Sequence, residues 1–215
     1  MDISLKRIVA YLIDIFIVTL IAGAISSIRI LNPYYSDYEK TLTRYNELVE
    51  KTDVDKNEVI NINHDIYKYR TYQTIISVSS LILYFGVFQY STKGQTIGKR
   101  LLKLRIVSNN KKKLNIGNYI LRIIILNNII FTILAFLGVY VLDNNVFYYA
   151  TLIIGGIQSI ILSINILMIV LRRDRRGLHD ILSNTTVENV SLDDEIEVIE
   201  DERPTKSKAN NKKKK

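Results

Sequence analysis

Four long apolar runs dominate this chain and set most of what it can fold into. A helix crossing a bilayer needs about 20 mostly apolar residues, because helical rise has to cover a hydrocarbon core about 30 Å thick. The runs from Ile8 to Leu31, Tyr72 to Tyr90, Asn118 to Leu142 and Val146 to Leu171 all meet that length. Each is apolar around its whole circumference, whereas a soluble helix is apolar on one stripe only. The expected fold is an all-α membrane protein, a four-transmembrane-helix bundle. The second run is the shortest and carries Ser77, Ser79, Ser80 and Tyr84, hydroxyls that a helix accommodates by bonding back to its own carbonyls. The first run follows Lys6 and Arg7 and contains Ala22, Gly23 and Ala24, the pattern of a secretory signal. Asp14 inside it and the apolar residues beyond Ala24 favour an uncleaved anchor instead.

Charge supplies the orientation. The net +8 could point to nucleic acid, but the basic residues flank apolar runs, which points to an anionic membrane face and to no nucleic-acid partner. Between the second and third runs lie Lys93, Lys99, Arg100, Lys103, Arg105, Lys111, Lys112 and Lys113, with no acidic residue from Tyr90 to Leu142. Arg172, Arg173, Arg175 and Arg176 follow the fourth run, whereas Asp143, Asn144 and Asn145 join the third to the fourth. By the positive-inside rule the basic loop 91–117 and both termini are cytoplasmic, in a plasma membrane with a multi-pass chain. Tyr34, Tyr35, Tyr72, Tyr140, Tyr148 and Tyr149 then form an outer aromatic belt.

The outer loop 32–71 opens with Pro33, which ends the preceding helix. Ser36 followed by Glu39 matches a capping box, and Tyr38, Leu42, Tyr45 and Val49 recur at helical spacing, so a short amphipathic helix is expected there. His64 reads as a solvated polar residue. In the basic loop, Leu102, Leu104 and Ile106 alternate with Lys103, Arg105 and Val107 before the turn formers Asn109 and Asn110. That alternation predicts a strand, and the β-branched segment Thr185 to Val190 is its expected partner in a small cytoplasmic sheet. Gly94 and Gly98 read as turn residues. The segment 191–215, acidic and then lysine-rich, has the composition of a disordered tail.

Charged and amide side chains within apolar runs cost about 2.5–3.5 kcal/mol for a charge and are retained where they face protein or water. Asp14 lies about 10 Å above Arg7 along the first helix, too far for a direct pair. Arg122 enters about a turn inside the third run at a similar depth, and is the expected partner of Asp14. Asn165 falls near the same boundary, with Asn127, Asn128 and Gln158 closer to the midplane. Asp14, Arg122, Asn127, Asn128, Gln158 and Asn165 come from three helices and are the expected polar or ion site. For Asp14 an interhelical bond and a cation or proton site remain as alternatives, and Arg29 near the outer end of the first run is expected to snorkel outward.

Three strings occur in order around the apolar runs: KRIVAYLIDIFI, GQTIGKRLLKLRIV and RRDRRGLHDILSNTTV. Together they resemble the RDD family of bacterial integral membrane proteins, over about 5–190. The resemblance implies that Arg7 and Asp14 occupy the first two motif positions and Asp180 the third, with Asp174 an alternative. It implies a poorly characterised function, with transport of unidentified ligands suggested and sodium/proton antiport linked to some members. The outer loop is long for this family, and the charged tail lies outside the resemblance.

No enzymatic constellation is present in the sequence: it contains no phosphate-binding glycine loop, no G-x-S-x-G elbow and no H-E-x-x-H pair. Zero cysteines exclude a disulfide framework and a thiol nucleophile, and two histidines exclude a multi-histidine metal site within one chain. No cofactor is expected. His179 beside Asp180 has no accompanying nucleophile and is expected to belong to a segment that folds back to cap the bundle. Two functions are compatible with this sequence. One is a transporter for a cation or small solute centred on Asp14. The other is a membrane scaffold or accessory factor docking a partner or anionic lipid through the basic loop. A homo-oligomer or a partner subunit suits either, because four helices leave little room for a pathway.

Overall fold

Asp2 starts the first helix by accepting from the Ser4 backbone N–H at 3.1 Å, and α1 then runs Ile3–Ser26. The computed structural model describes residues 2–51, 54–110 and 112–190, so the charged tail 191–215 lies outside the described residues. Along α1 the buried positions are Ser4, Arg7, Ala10, Asp14, Val18 and Ala22, a seam at three- and four-residue spacing. Leu12, Phe16 and Leu20 point outward and are exposed. The polar residues therefore face protein and the large apolar ones face the surroundings, the arrangement hydrocarbon demands.

The segment beyond α1 differs from expectation in several places. The α-helix stops at Ser26 and a short 3₁₀ turn covers Arg29–Leu31, so the first run is not helical throughout. Helix α2 spans Tyr35–Val49 with Tyr34 at its cap, which puts Ser36 inside the helix and leaves no Ser36 capping box. Its buried positions are Thr41 and Leu48, while Tyr45 and Val49 are exposed. The stripe is thus rotated, because α2 packs on α3 (Lys56–Tyr69) rather than lying alone on a surface. His64 on α3 is not solvated: its Nε2 lies 2.9 Å from the Val139 carbonyl and its ring meets Phe147 edge-on.

The chain continues through α4 (Thr71–Leu81), a π-helical stretch Ile82–Phe88 and α5 (Gln89–Ser91), one span-length rod. It then folds back through α6 (Ile97–Leu101) into β1 (Leu104–Ser108). The third apolar run is broken. Helix α7 (Ile116–Leu126) and helix α8 (Ile129–Val141) meet at Asn127–Asn128 with a 65° bend. Asn128 adopts φ 52°, the left-handed region that asparagine tolerates better than most residues. Helix α9 (Asn144–Leu171) is continuous, and α10 (Leu178–Leu182) leads into β2 (Thr185–Asn189).

Three helices are therefore long and apolar enough to cross a membrane, and a fourth crossing results if the bent α7–α8 pair is one span. The expected sheet is present: β1 and β2 pair antiparallel with Ile106 opposite Val187. Leu104, Ile106 and Val187 turn inward onto Ala10 and Tyr119, so the sheet is bolted to α1 and α7. The start of α1, the β1 loop and the segment after α9 all meet at this end. Ser4 Oγ donates to the Ile169 carbonyl at 3.0 Å and Lys6 Nζ to Asn189 Oδ1 at 3.0 Å.

Candidate functional site

Asp14 is fully buried, and the donors to its carboxylate come from the second span and the return loop after it rather than from α7. Its carboxylate accepts the Gly98 backbone N–H at 2.7 Å, the Tyr84 hydroxyl at 2.7 Å and the Thr96 hydroxyl. The local sequence explains the fit. Thr96 is the N-cap of α6, and Gly98 lets that helix press on α1. A Cβ there would stand 2.3 Å from the Ala10 carbonyl oxygen and 2.9 Å from Asp14 Oδ1. Gly98 is thus a close-approach glycine and not a turn residue, whereas Gly94, at φ 92°, does make a turn. The π-helical stretch aims Tyr84 at the carboxylate, and the Tyr84 oxygen also accepts the Ile97 N–H at 3.2 Å.

Lys99 completes this cluster. Its ammonium lies 3.8 Å from Asp14 Oδ2 and over the Phe85 ring. It donates to Thr96 Oγ1 at 3.3 Å and, in the amide orientation that satisfies Gln89 on both sides, to Gln89 Oε1 at 3.0 Å. Burial pushes the Lys99 ammonium down to about 7. Asp14 opposes that shift, while the charges of Arg122 and Arg7 reinforce it.

A second buried carboxylate, Asp180 on α10, ties the same end together. It pairs with Arg7 from α1 and Arg122 from α7, accepts the Gly177 N–H at 3.0 Å, and lies 3.5 Å from Thr185 Oγ1. Arg7 also donates to the Arg175 carbonyl, and Arg122 Nη1 to Thr185 Oγ1 at 2.9 Å. Burial pushes the Asp180 carboxyl up, but the Arg122 and Arg7 guanidiniums outweigh it and hold the group well below the usual carboxylate range. The neighbouring His179 is pushed down to about 3 by burial and by the Arg122 charge, so its ring is neutral. Asn165 Nδ2 donates to the Ile161 carbonyl at 3.0 Å, which leaves Asn165 Oδ1 to accept from His179 Nδ1 at 2.8 Å.

Two cavities flank the break in the third run. The inner one, about 280 Å³, lies between α1, α7 and α9 and is lined by Arg7, Lys99, Arg122, Asn165 and His179 among aliphatic side chains. The outer one, about 300 Å³, is lined by Thr19, Ser26, Arg70, Gln73 and Ser77 and reaches Asn127. Tyr11 borders the inner cavity, and its hydroxyl donates to Asn127 Oδ1 at 2.8 Å. That bond joins a residue lining the inner cavity to one lining the outer. Asn127 Nδ2 is buried and has no partner.

The six polar residues expected to converge divide into separate groups. Arg122 meets Asp180 and not Asp14, because α6 folds back to occupy the position opposite Asp14 that α7 was expected to fill. Asn165 shares the inner cavity with Arg122, and Asn127 ends the outer one. Asn128 and Gln158 sit together elsewhere, Asn128 Nδ2 reaching the Gln158 carbonyl at 3.5 Å, with the Gln158 side chain on a third, smaller cavity. Asp180 joins Arg7, whereas Asp174 is exposed and pairs with Arg172 and the Arg176 N–H. Sequence reasoning did not foresee Tyr84, Thr96 or Lys99 as partners of Asp14. Lys99 carried the same signal as any positive-inside lysine, and the only clue to its depth was a threonine in N-cap position three residues earlier.

The model of the RDD family matches residues 4–184, a range that takes in both buried carboxylates and both of their cation sets. No curated protein and no solved structure matches the chain. The arginine and the two aspartates expected from the resemblance, Arg7, Asp14 and Asp180, are all buried at one end of an apolar helical assembly. This chain is an integral membrane protein and belongs to the RDD family.

Proposed function

We propose that this protein is a four-span transporter of a small solute, with the sheet end and both termini in the cytoplasm. The route runs from the outer cavity, past the Tyr11–Asn127 bond, into the inner cavity. The observation that carries this reading is the broken third span: an apolar helix bent by 65° at Asn127–Asn128, with a cavity on each side of the break. Discontinuous helices near the midplane free backbone and amide groups for solute binding, and they survive in lipid only where they line protein or water. The unpartnered Asn127 Nδ2 is a donor already positioned at such a place. Orientation follows the basic loop and the arginines after α9.

In this reading Asp14 is a fastener and not the transported ion's ligand. Three donors already occupy its oxygens, which offer about four lone-pair sites, and the Lys99 ammonium stands 3.8 Å away as its counter-charge. The test is a flux assay in liposomes over a panel of ions and small solutes, comparing wild type with Tyr11→Phe and Asn127→Leu at matched folding. Altered flux in those variants supports the route. Absence of flux under every imposed gradient removes the transport reading, and flux untouched by both substitutions removes the route.

A further inference from the structure

The lining of the inner cavity is one-sided in charge. Arg7, Lys99 and Arg122 all border it, while neither Asp14 nor Asp180 does. Counting the whole buried cluster, three basic side chains face two carboxylates, so the cluster carries one net positive charge when Lys99 is protonated. A net charge at this depth is costly, and most of the surrounding wall is aliphatic. Arg122 makes its bonds to Asp180 and Thr185 through Nη1 alone, so the rest of its fork is not committed to them. Asn165 and His179 supply polar edges beside the three cations.

The mouth of the cavity has the opposite character. Leu12 on α1 and Leu162 and Ile166 on α9 border it, and all three are exposed, Leu12 to 60%. They belong to apolar spans, so the cavity opens sideways toward lipid hydrocarbon. Ser4 Oγ on the Ile169 carbonyl closes the gap between α1 and α9 at the cytoplasmic end. A cavity of about 280 Å³ with cations at its base and an aliphatic mouth suits a head with one negative charge carrying an acyl chain.

We propose that the inner cavity binds a singly charged anionic amphiphile. Its carboxylate or phosphate head sits among Arg7, Lys99 and Arg122, and its acyl chain leaves between α1 and α9. The head completes the charge balance of the cluster, and the chain covers the aliphatic mouth. One head chemistry has two sources here, an anionic phospholipid of the bilayer or a free fatty acid. The proposal deepens the transport reading by naming the substrate class, and rests on that reading only in treating the bound molecule as cargo. The depressed ammonium of Lys99 agrees with it, since an anion alongside would hold that group charged.

Binding is read without flux, so the two proposals fail separately. The full chain, in neutral detergent or in phosphatidylcholine nanodiscs, is titrated with octanoate, octanol or inorganic phosphate, or given phosphatidylglycerol in the bilayer, and its thermal midpoint is followed. Octanoate or phosphatidylglycerol is expected to raise the midpoint saturably, by about 5–10 °C at a hundredfold excess over Kd. Octanol and inorganic phosphate should not. Native mass spectrometry should find one retained phosphatidylglycerol per protein if the bilayer lipid is the source, and none if only octanoate acts. Ile166→Trp and Leu162→Trp block the mouth without touching a charge and should abolish the rise, whereas Leu152→Trp, nearer the other end of α9, should keep it. Persistence of the rise in both mouth variants overturns the proposal. So does an equal response to inorganic phosphate, which would dispense with the chain, or to octanol, which would dispense with the charge.

Discussion

Substituting Asp180 by asparagine keeps the shape of the side chain and removes its charge, and should cost this protein more than any other single isosteric change. The carboxylate has no exposed surface, and the two guanidiniums that meet it are nearly as buried, at 6% and 7% side-chain exposure. Oδ1 faces Arg122 and Thr185, and Oδ2 faces Arg7 and the Gly177 N–H. Wherever the new amide nitrogen is placed, it points a donor at a guanidinium donor, and two buried cations lose their counter-charge. Breaking a buried pair of this kind typically costs about 3–5 kcal/mol, which for a chain of this length lowers the midpoint by about 6–20 °C. The assay is thermal unfolding in detergent, read by the retained monodisperse peak. Asp174→Asn is the control, since that carboxylate is exposed and pairs with an exposed Arg172, an arrangement that contributes little. Adding Arg122→Gln to Asp180→Asn should cost less than the two single changes summed, because the second substitution removes a stranded charge. A midpoint for Asp180→Asn no lower than that of Asp174→Asn, or strict additivity in the pair, would refute the reasoning.

Gly98→Ala should sharply reduce folded protein, because its Cβ would collide with the Ala10 carbonyl and the Asp14 carboxylate; normal expression and melting would show that α6 can lift from α1 at little cost. His179 is held neutral to about pH 3, against about 6.5 when unfolded, so the unfolded chain binds the extra proton between those values. Stability should therefore be fully present above about pH 6.5 and fall on acidification, by up to about 1.4 kcal/mol per pH unit, and His179→Asn should flatten that slope in melting curves taken from pH 7 to 4. Lys99, pushed down to about 7, works in the alkaline range: the unfolded chain binds the extra proton between about 7 and 10.4, so stability should rise over that window in wild type and not in Lys99→Met. Single cysteines at Asn46 and Asn144 should label from outside and one at Asn110 only after permeabilisation; labelling of Asn110 in intact cells would reverse the orientation.

How much of this was legible in the sequence depends on whether a feature is written along one segment or across several. Span positions follow from length and hydropathy, which are local, and the second and fourth apolar runs appear at nearly their expected bounds, while the first is shifted about five residues toward the N-terminus. The β1–β2 sheet follows from alternation at Leu104 and Ile106 and from β-branching at Thr185 to Val187, again local signals. The partner of Asp14 was not legible, because depth along a helix gives one coordinate and leaves rotation and neighbour undetermined. Arg122 has the right depth, but Gly98 lets α6 approach α1 more closely than any side chain from α7. The break at Asn127–Asn128 was hidden for a related reason. No proline marks it, and an Asn pair in an apolar run reads equally well as hydrogen-bonding glue between unbroken helices. His64 was misjudged because a polar residue in a charged loop gives no sign that a carbonyl, here that of Val139, waits within reach.

The two buried carboxylates divide one task between them. Asp14 binds the return loop to α1, and Asp180 binds α10 to α1 and α7, so the basic segment before the third span and the one after the fourth are fixed to the same end of one helix, seven residues apart. Hydrocarbon supplies no hydrophobic force to hold helices together, so contacts of this kind have to come from packing and polar bonds. Each carboxylate turns its oxygens toward its own donors and away from the inner cavity, and the cations are left to line it. A cation entering that space would meet Arg7, Lys99 and Arg122 before either aspartate, and could reach Asp14 only by displacing Tyr84, Thr96 or the Gly98 N–H. The same bonds that hold this end together therefore leave cations to line the cavity, the arrangement on which the proposed anion site rests, and the proposed route requires the Tyr11–Asn127 bond to open while those fasteners stay closed.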